Sequence, residues 1–115
     1  MAHSHSRLTP KGRYVWNVER LWPLAKHLTV TSIPLENIPE FDQDCWFGDT
    51  TPPTCRAVAE HAKRIQEADL SYPILLSAEG HLIDGGHRIA KAWLLGMKEI
   101  QAVRFAVDPD EVRPE

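Results

Sequence analysis

The sequence has few cysteines, no long apolar run and no excess of positive charge. Two cysteines in 115 residues are too few for a disulfide scaffold, so both are expected to be reduced thiols in a cytoplasmic protein. No stretch approaches the roughly 18 apolar residues of a membrane span, and no apolar segment follows the first basic residues. The sequence therefore predicts neither a membrane span nor a secretory signal.

The charge balance limits the kinds of partner that the protein attracts. A formal net charge of -3 and an isoelectric point near 6.0 provide no cationic field to gather phosphate backbones. Nonspecific binding of nucleic acid is therefore not favoured, although a local basic patch would still be compatible with it. A protein partner or a homo-oligomer stays open on the sequence alone.

Length and composition favour a single globular domain. A chain of 115 residues with 43% hydrophobic and 25% charged residues can build one core, but is short for two domains. We expect a flexible, polar N-terminus at 1–13, one domain at 14–108 and a C-terminal tail at 109–115.

Apolar spacing and turn residues predict alternating helices and strands. Apolar residues recur at helical spacing in three segments, and Thr54 is expected to cap the second of them: 17–28, 54–70 and 87–95. β-branched or alternating segments predict four strands: 28–38, 72–77, 81–84 and 99–105. The sequence therefore predicts an α/β or α+β domain, in which a small mixed sheet is flanked by helices.

Helical spacing also predicts which side chains face the core. Trp22 and Trp93 lie on apolar stripes of the first and third helices and are expected to be buried. The second helix has one apolar stripe that is expected to face inward: Cys55, Val58, Ala59, Ala62 and Ile65.

The stretch Asp84-Gly85-Gly86-His87-Arg88 leads from a predicted strand into a predicted helix. The first amides of a helix lack intrahelical partners, and glycines allow a ligand to approach the backbone closely. This arrangement predicts an anion site, in which Arg88 grips a phosphate and His87 donates a hydrogen bond or acts as a base. The alternative is a tight turn before a capped helix, with His87 and Arg88 simply solvated.

The segment 39–53, "PEFDQDCWFGDTTPP", is expected to be a loop that forms the other half of this site. Trp46 could stack on a base or cover the pocket. Arg56, in the first turn of the following helix, could face the site from across it. Asp42 and Asp44, together with Asp84, are candidate ligands of a hydrated Mg²⁺ ion.

The order of elements resembles the ParB/sulfiredoxin superfamily over roughly residues 29–106, most densely in "PILLSAEGHLIDGGHRIAKAWLLG". The box at 84–88 is similar to the "DGHHR" box of that superfamily's ADP-dependent free-serine kinases at four of five positions. It lacks the cysteine of the sulfiredoxin box and the Glu-Arg pair of the ParB box. The resemblance implies a ParB/sulfiredoxin-like fold, a nucleotide ligand and an upstream glutamate base, for which Glu36 and Glu40 are candidates. Similarity of "CWF" and "PTCR" to ParB-like proteins labelled nucleases adds a nuclease alternative.

Together these features predict binding of a nucleotide or another phosphorylated small molecule at the turn 84–88. The expected ligands are ATP, ADP or CTP with Mg²⁺, and phosphoryl transfer or hydrolysis would use Glu40 and His87. The expected contacts come from the turn, the loop and the second helix: Asp84, Gly85, Gly86, His87, Arg88, Arg56 and Trp46. Two other functions stay open, a nucleic-acid-associated or nuclease-type module, and a non-catalytic domain that docks a protein through the Trp46-Phe47 loop.

Overall fold

A computed structural model describes the backbone of residues 4–9, 12–107 and 113–114, and the side chains of residues 22–107. The helices are α1 (Val18–Ala25), α2 (Cys55–Glu67) and α3 (Gly86–Leu94). The strands are β1 (Ser4–Thr9), β2 (Gly12–Asn17), β3 (Thr31–Pro34), β4 (Ile74–Leu76), β5 (Leu82–Asp84), β6 (Glu99–Arg104) and β7 (Arg113–Pro114). Two 3-10 turns, Leu35–Asn37 and Pro39–Asp42, follow β3. The predicted α+β class is confirmed.

The central sheet has the strand order β3-β6-β4-β5. Strand β6 pairs antiparallel with β3 and parallel with β4, whereas β4 and β5 form an antiparallel hairpin. The sheet is therefore mixed, as the sequence predicted. The hairpin delivers the chain directly from β5 into α3.

Helices pack on both faces of this sheet. Successive side chains of a strand point to opposite faces, so neighbouring residues of one strand contact different helices. On β4, Ile74 belongs to the core cluster that includes Ile89 of α3. The next residue, Leu75, belongs to a second cluster that includes Ala25 of α1. Both β4 side chains are fully buried. The core thus fixes α3 on one face of the sheet and α1 on the other.

A second sheet contains β1, β2 and β7, with β2 in the centre and both neighbours antiparallel to it. Strand β1 lies in the segment 1–13, for which the sequence predicted no regular structure. The predicted tail, 109–115, lies partly outside the described residues. The domain limits at 14–108 therefore stay a prediction.

The predicted orientation of α2 is wrong. Four residues of the expected core stripe are exposed to solvent: Cys55, Val58, Ala59 and Ala62. Within α2, only Ala57, His61 and Ile65 are partly shielded, and they follow one another at intervals of four residues. Helix α2 therefore rests on the rest of the fold along this narrow line, and the element that it contacts most is α3.

The predicted burial of Trp93 is also wrong. Trp22 packs against the core cluster on the α1 face, as expected. Trp93, however, is 61% exposed and lies near three other exposed apolar residues of the α3 end: Leu94, Leu95 and Met97. We call these four residues the Trp93 surface. The helical spacing identified a stripe, but α3 ends at Leu94, so this part of the stripe lies at the end of the helix.

Two expectations from composition concern the cysteines and the membrane-spanning segments. Cys45 and Cys55 are not joined to each other by a disulfide bond. Of the helices in the described ranges, none combines the length and apolar character needed to cross a membrane.

Gly85 allows close packing at the turn from β5 to α3. Its φ of 128° is in the left-handed range, and an added β-carbon would lie 2.9 Å from Cβ of Ile74 and still closer to its Cγ2. We predict that Gly85→Ala lowers the free energy of unfolding by about 3 kcal/mol, from backbone strain plus overpacking. Chemical denaturation measures this loss.

Gly80→Ala is the matched control. Gly80 also has a positive φ, 87°, but an added β-carbon would meet no atom within 4 Å. Gly80→Ala should therefore lower the free energy of unfolding by the backbone strain alone, about 1 kcal/mol. Equal losses in the two variants would show that packing against Ile74 is not the constraint.

Candidate functional site

A cavity of about 300 Å³ lies between the segment that follows β3 and the first turns of α3. Seven lining residues come from that segment: Glu40, Phe41, Gln43, Asp44, Cys45, Trp46 and Phe47. Three come from α3: Gly86, Ile89 and Ala90. We call this space the loop cavity. Its volume is at the lower end of the range for small-molecule sites, and its aromatic and aliphatic lining is typical of them.

The structure brings Trp46 and Gly86 together at the start of α3. A β-carbon added to Gly86 would lie 3.1 Å from Nε1 of Trp46 and 3.6 Å from Cβ of Cys45. The loop therefore packs directly on the first residue of the helix. A side chain at position 86 would push the loop away.

Trp46 stacks on a pair of histidines from two different helices. His61 Nδ1 of α2 lies 2.9 Å from His87 Nε2 of α3, at hydrogen-bonding distance. Their ring planes differ by 11° and their centroids are 5.1 Å apart, so the two rings lie nearly edge to edge in one plane. The indole of Trp46 lies parallel to both rings, with centroid distances of 4.8 Å to His61 and 4.7 Å to His87. We call His61 and His87 the histidine pair.

Burial and charge both act on His61. Burial lowers the pKa of His61, the nearby positive charge of Arg64 lowers it further, and Glu60 opposes them. The neutral imidazole is therefore favoured in the folded protein.

Asp44 shapes the loop that carries Trp46. Its Oδ1 accepts hydrogen bonds from the amides of Trp46 and Phe47 at 3.0 and 2.8 Å, and its Oδ2 accepts one from Gly48 at 2.7 Å. The amides of Phe47, Gly48 and Trp46 thereby lower the pKa of Asp44. Asp44 is thus an ionised cap of its own turn.

The candidate Mg²⁺ ligands do not come together. Asp42 is exposed, Asp44 binds its own turn, and Asp84 binds Arg88. In the described ranges, no group of three or more His, Cys, Asp or Glu residues is arranged to hold a metal ion. A Mg²⁺ site on these three aspartates stays a prediction from the sequence.

Arg88 lies outside the lining of the loop cavity. Its guanidinium donates to Asp84 Oδ2 at 2.6 Å and to the carbonyl oxygens of Tyr72 and Pro73 at 3.1 and 2.7 Å. It also lies over the ring of Trp22, 5.7 Å from the centroid. The side chains of Arg88 and Asp84 are only 12% and 14% exposed. Arg88 therefore ties α3 to β5 and to the segment before β4, which differs from the predicted phosphate grip.

Glu40 forms a second buried link. Its side chain is 1% exposed, its Oε1 accepts a hydrogen bond from the amide of Leu82 at 2.6 Å, and its Oε2 lies 2.9 Å from His81 Nδ1. The carboxylate therefore fastens the second 3-10 turn to the start of β5. This geometry gives Glu40 a structural role beside the cavity, and its predicted role as a base stays a prediction.

Two further candidate residues, Arg56 and Gly85, are not among the residues that line the loop cavity. Arg56 is exposed on the first turn of α2. Gly85 makes the turn that allows Gly86 to begin α3. Of the predicted contacts, the structure therefore gathers Trp46, Gly86 and His87, and directs Asp84 and Arg88 elsewhere.

The sequence analysis missed His61 as part of this arrangement. Its hydrogen bond to His87 joins residues 26 positions apart and depends on how α2 packs. The available signal was the four-residue spacing of Ala57, His61 and Ile65, which places a histidine at the centre of a line of otherwise apolar residues.

Comparison of the chain with protein-family models, with curated proteins and with solved structures gives no match. The resemblance to the ParB/sulfiredoxin superfamily therefore stays a prediction. The site has to be interpreted from its own geometry.

Loss of the Arg88 guanidinium should cost stability. We predict that Arg88→Ala lowers the free energy of unfolding by about 3 kcal/mol, because it removes the ion pair of the largely buried Asp84 and takes a donor away from two carbonyl oxygens. Denaturant titration of both proteins measures the difference.

Lys63→Ala gives the matched control, since Lys63 and Glu67 are also an ion pair four residues apart. Their nitrogen and oxygen are 4.0 Å apart and their side chains are 75% and 64% exposed. The control should change stability by less than about 0.5 kcal/mol. A loss this small in Arg88→Ala would contradict the structural role of Arg88.

Proposed function

We propose that the loop cavity binds a nucleotide or another phosphorylated small molecule. The planar ring would lie against the aromatic wall, and the phosphate would lie at the start of α3. One observation carries the proposal: a single cavity joins the aromatic side chains of the loop to Gly86, the first residue of a helix.

The aromatic wall supports binding of a planar ring. Phe41, Trp46 and Phe47 all line the cavity, and Trp46 and Phe47 meet edge to face with an angle of 83° between their rings. Stacking of a base on such side chains contributes about 1–3 kcal/mol and tolerates different bases. This wall therefore favours an aromatic or heteroaromatic ligand without selecting one base.

The helix start supports binding of a phosphate. First-turn amides and the helix dipole attract anions at this end of a helix. In α2 the hydroxyl of Thr54 accepts from the amide of Ala57 at 3.1 Å, whereas α3 has glycine at the same cap position. A ligand oxygen could take the place that a capping side chain occupies in α2.

The proposal differs from the sequence prediction in the source of phosphate recognition. Recognition would come from the backbone at Gly86, which lines the cavity, while Arg88 would hold the helix in position. A cavity of about 300 Å³ favours a ligand of mononucleotide size. Phosphoryl transfer with Mg²⁺, Glu40 and His87 stays a prediction. A cytoplasmic location, as the sequence predicted, is consistent with a nucleotide ligand and with two cysteines that form no disulfide with each other.

Isothermal titration calorimetry with AMP, ADP, CTP and adenosine tests the proposal. We predict that AMP binds about fivefold more tightly than adenosine, because only AMP places an anion at the helix start. Ala90→Phe should fill the cavity and weaken AMP binding about tenfold or more, the equivalent of an overpacking cost of about 1.4 kcal/mol.

Ala59→Phe is the control for Ala90→Phe, because Ala59 is exposed on α2, away from the cavity lining. It should leave the affinity unchanged. Absence of binding by every probe, or equal affinity in Ala90→Phe and the native chain, would overturn the proposal.

The Trp93 surface favours a second candidate function, docking of a protein. Trp93, Leu94 and Leu95 are 61%, 64% and 63% exposed, and a concentration of exposed apolar side chains is typical of interaction sites. This surface is distinct from the Trp46-Phe47 loop that the sequence suggested for docking. Sedimentation of the purified chain tests the simplest partner, a second copy, because Trp93→Lys should then abolish a dimer.

A further inference from the structure

The hydrogen bond of the histidine pair depends on protonation. Each neutral imidazole has one donor and one acceptor nitrogen, so His61 Nδ1 and His87 Nε2 can bond only if one of them carries a proton and the other does not. One added proton can be shared, because an imidazolium donates to a neutral imidazole. A second proton makes both nitrogens donors and sets two positive rings side by side.

The histidine pair forms the surface on which Trp46 rests. Both rings lie within 13° of parallel to the indole, so the indole covers the junction between them. Phe47 also meets His61 edge to face, with centroids 5.3 Å apart. Rings that repel each other cannot keep this common plane. Separation of the pair would therefore remove the support of Trp46 and Phe47.

The charged groups around His61 disfavour a proton on its ring more than they favour one. On α2, Arg64 disfavours a charged His61 and Glu60 favours it, while burial lowers the pKa of His61 further. On α3, the neighbouring Arg88 is directed to Asp84. From the loop, Asp44 has its carboxylate turned to three backbone amides.

We propose that the histidine pair is a proton-sensitive latch, which holds Trp46 and the wall of the loop cavity in place at neutral pH and releases them in acid. The proposal rests on the proposed function only in that the latch would then regulate ligand binding. The loop movement itself requires no ligand.

The direction of the pH dependence follows from the neutral form being favoured in the fold. The stabilisation is complete above the usual histidine pKa of 6.5 and is lost as the pH falls below it. Because the two rings share one hydrogen bond, the pair can accept a first proton and keep that bond, and the latch opens at the second proton. The pKa of Asp44 is lowered, so its turn stays formed in this range and Trp46 would move with the turn intact.

Nuclear magnetic resonance of the ligand-free chain tests the latch. From about pH 8 to about pH 5, we expect the imidazole signals of His61 and His87 to titrate together, and the indole N–H signal of Trp46 to shift with their second step. His61→Asn offers an amide near the position of Nδ1, which can bond to His87 in either protonation state. In this variant the Trp46 signal should no longer follow pH.

His27→Asn is the matched control, since His27 is an exposed histidine in the turn after α1. It should leave the response of Trp46 unchanged. An indole signal of Trp46 that is insensitive to pH in the native chain, or one that still titrates in His61→Asn, would overturn the latch.

Ligand affinity separates the latch from the proposed function. We expect AMP to bind about tenfold more weakly at about pH 5.5 than at about pH 7.5 in the native chain, beyond any change seen in His61→Asn. The variant is needed because the phosphate itself titrates in this range. A Trp46 response without AMP binding would support the latch and contradict the proposed function. AMP binding with the same pH dependence in both proteins would support the proposed function and contradict the latch.

Discussion

The turn from β5 to α3 is packed from both sides, and this is possible only because residues 85 and 86 are glycines. Ile74 of the central strand presses against Gly85, and Trp46 of the loop presses against Gly86. The first contact sets the depth of α3 on the sheet, and the second sets the distance between the loop and the helix start. The loop cavity follows from these two approaches, since residues of the loop and of α3 form it, and the stacking of Trp46 on His87 follows from the second approach.

Charged residues around this turn maintain its shape. Glu40 joins the second 3-10 turn to β5 through the amide of Leu82, and Arg88 joins α3 to Asp84 and to the carbonyl oxygens before β4. Shielded charges of this kind persist in a fold when they are paired and hydrogen-bonded. A box of acid, glycines and basic residues therefore has a structural explanation here, and the ligand site that we propose depends on the backbone and the aromatic residues beside it.

Local signals in the sequence predicted the elements well. Thr54 caps α2 as expected, the hairpin of β4 and β5 is present, and α3 starts at Gly86, one residue before the predicted start. The sequence did not reveal which neighbour each helix has. Apolar spacing identified the stripe of Cys55 on α2, but the helix contacts α3 through the line of His61, so the stripe faces solvent. The hydrogen-bond partners of Arg88 could not be predicted from the sequence either, because they depend on the register of α3 against β4 and β5.

Helix α2 has no buried residue and meets α3 along a single line, while Lys91 binds the carbonyl oxygens of Gln66 and Ala68 near its end. An element with so few apolar contacts has a low free energy of local opening. Its backbone amides would exchange with solvent far sooner than those of the buried strand β4. Each such excursion withdraws one imidazole from beneath Trp46, so the lifetime of the cavity wall is governed by the docking of a neighbouring helix.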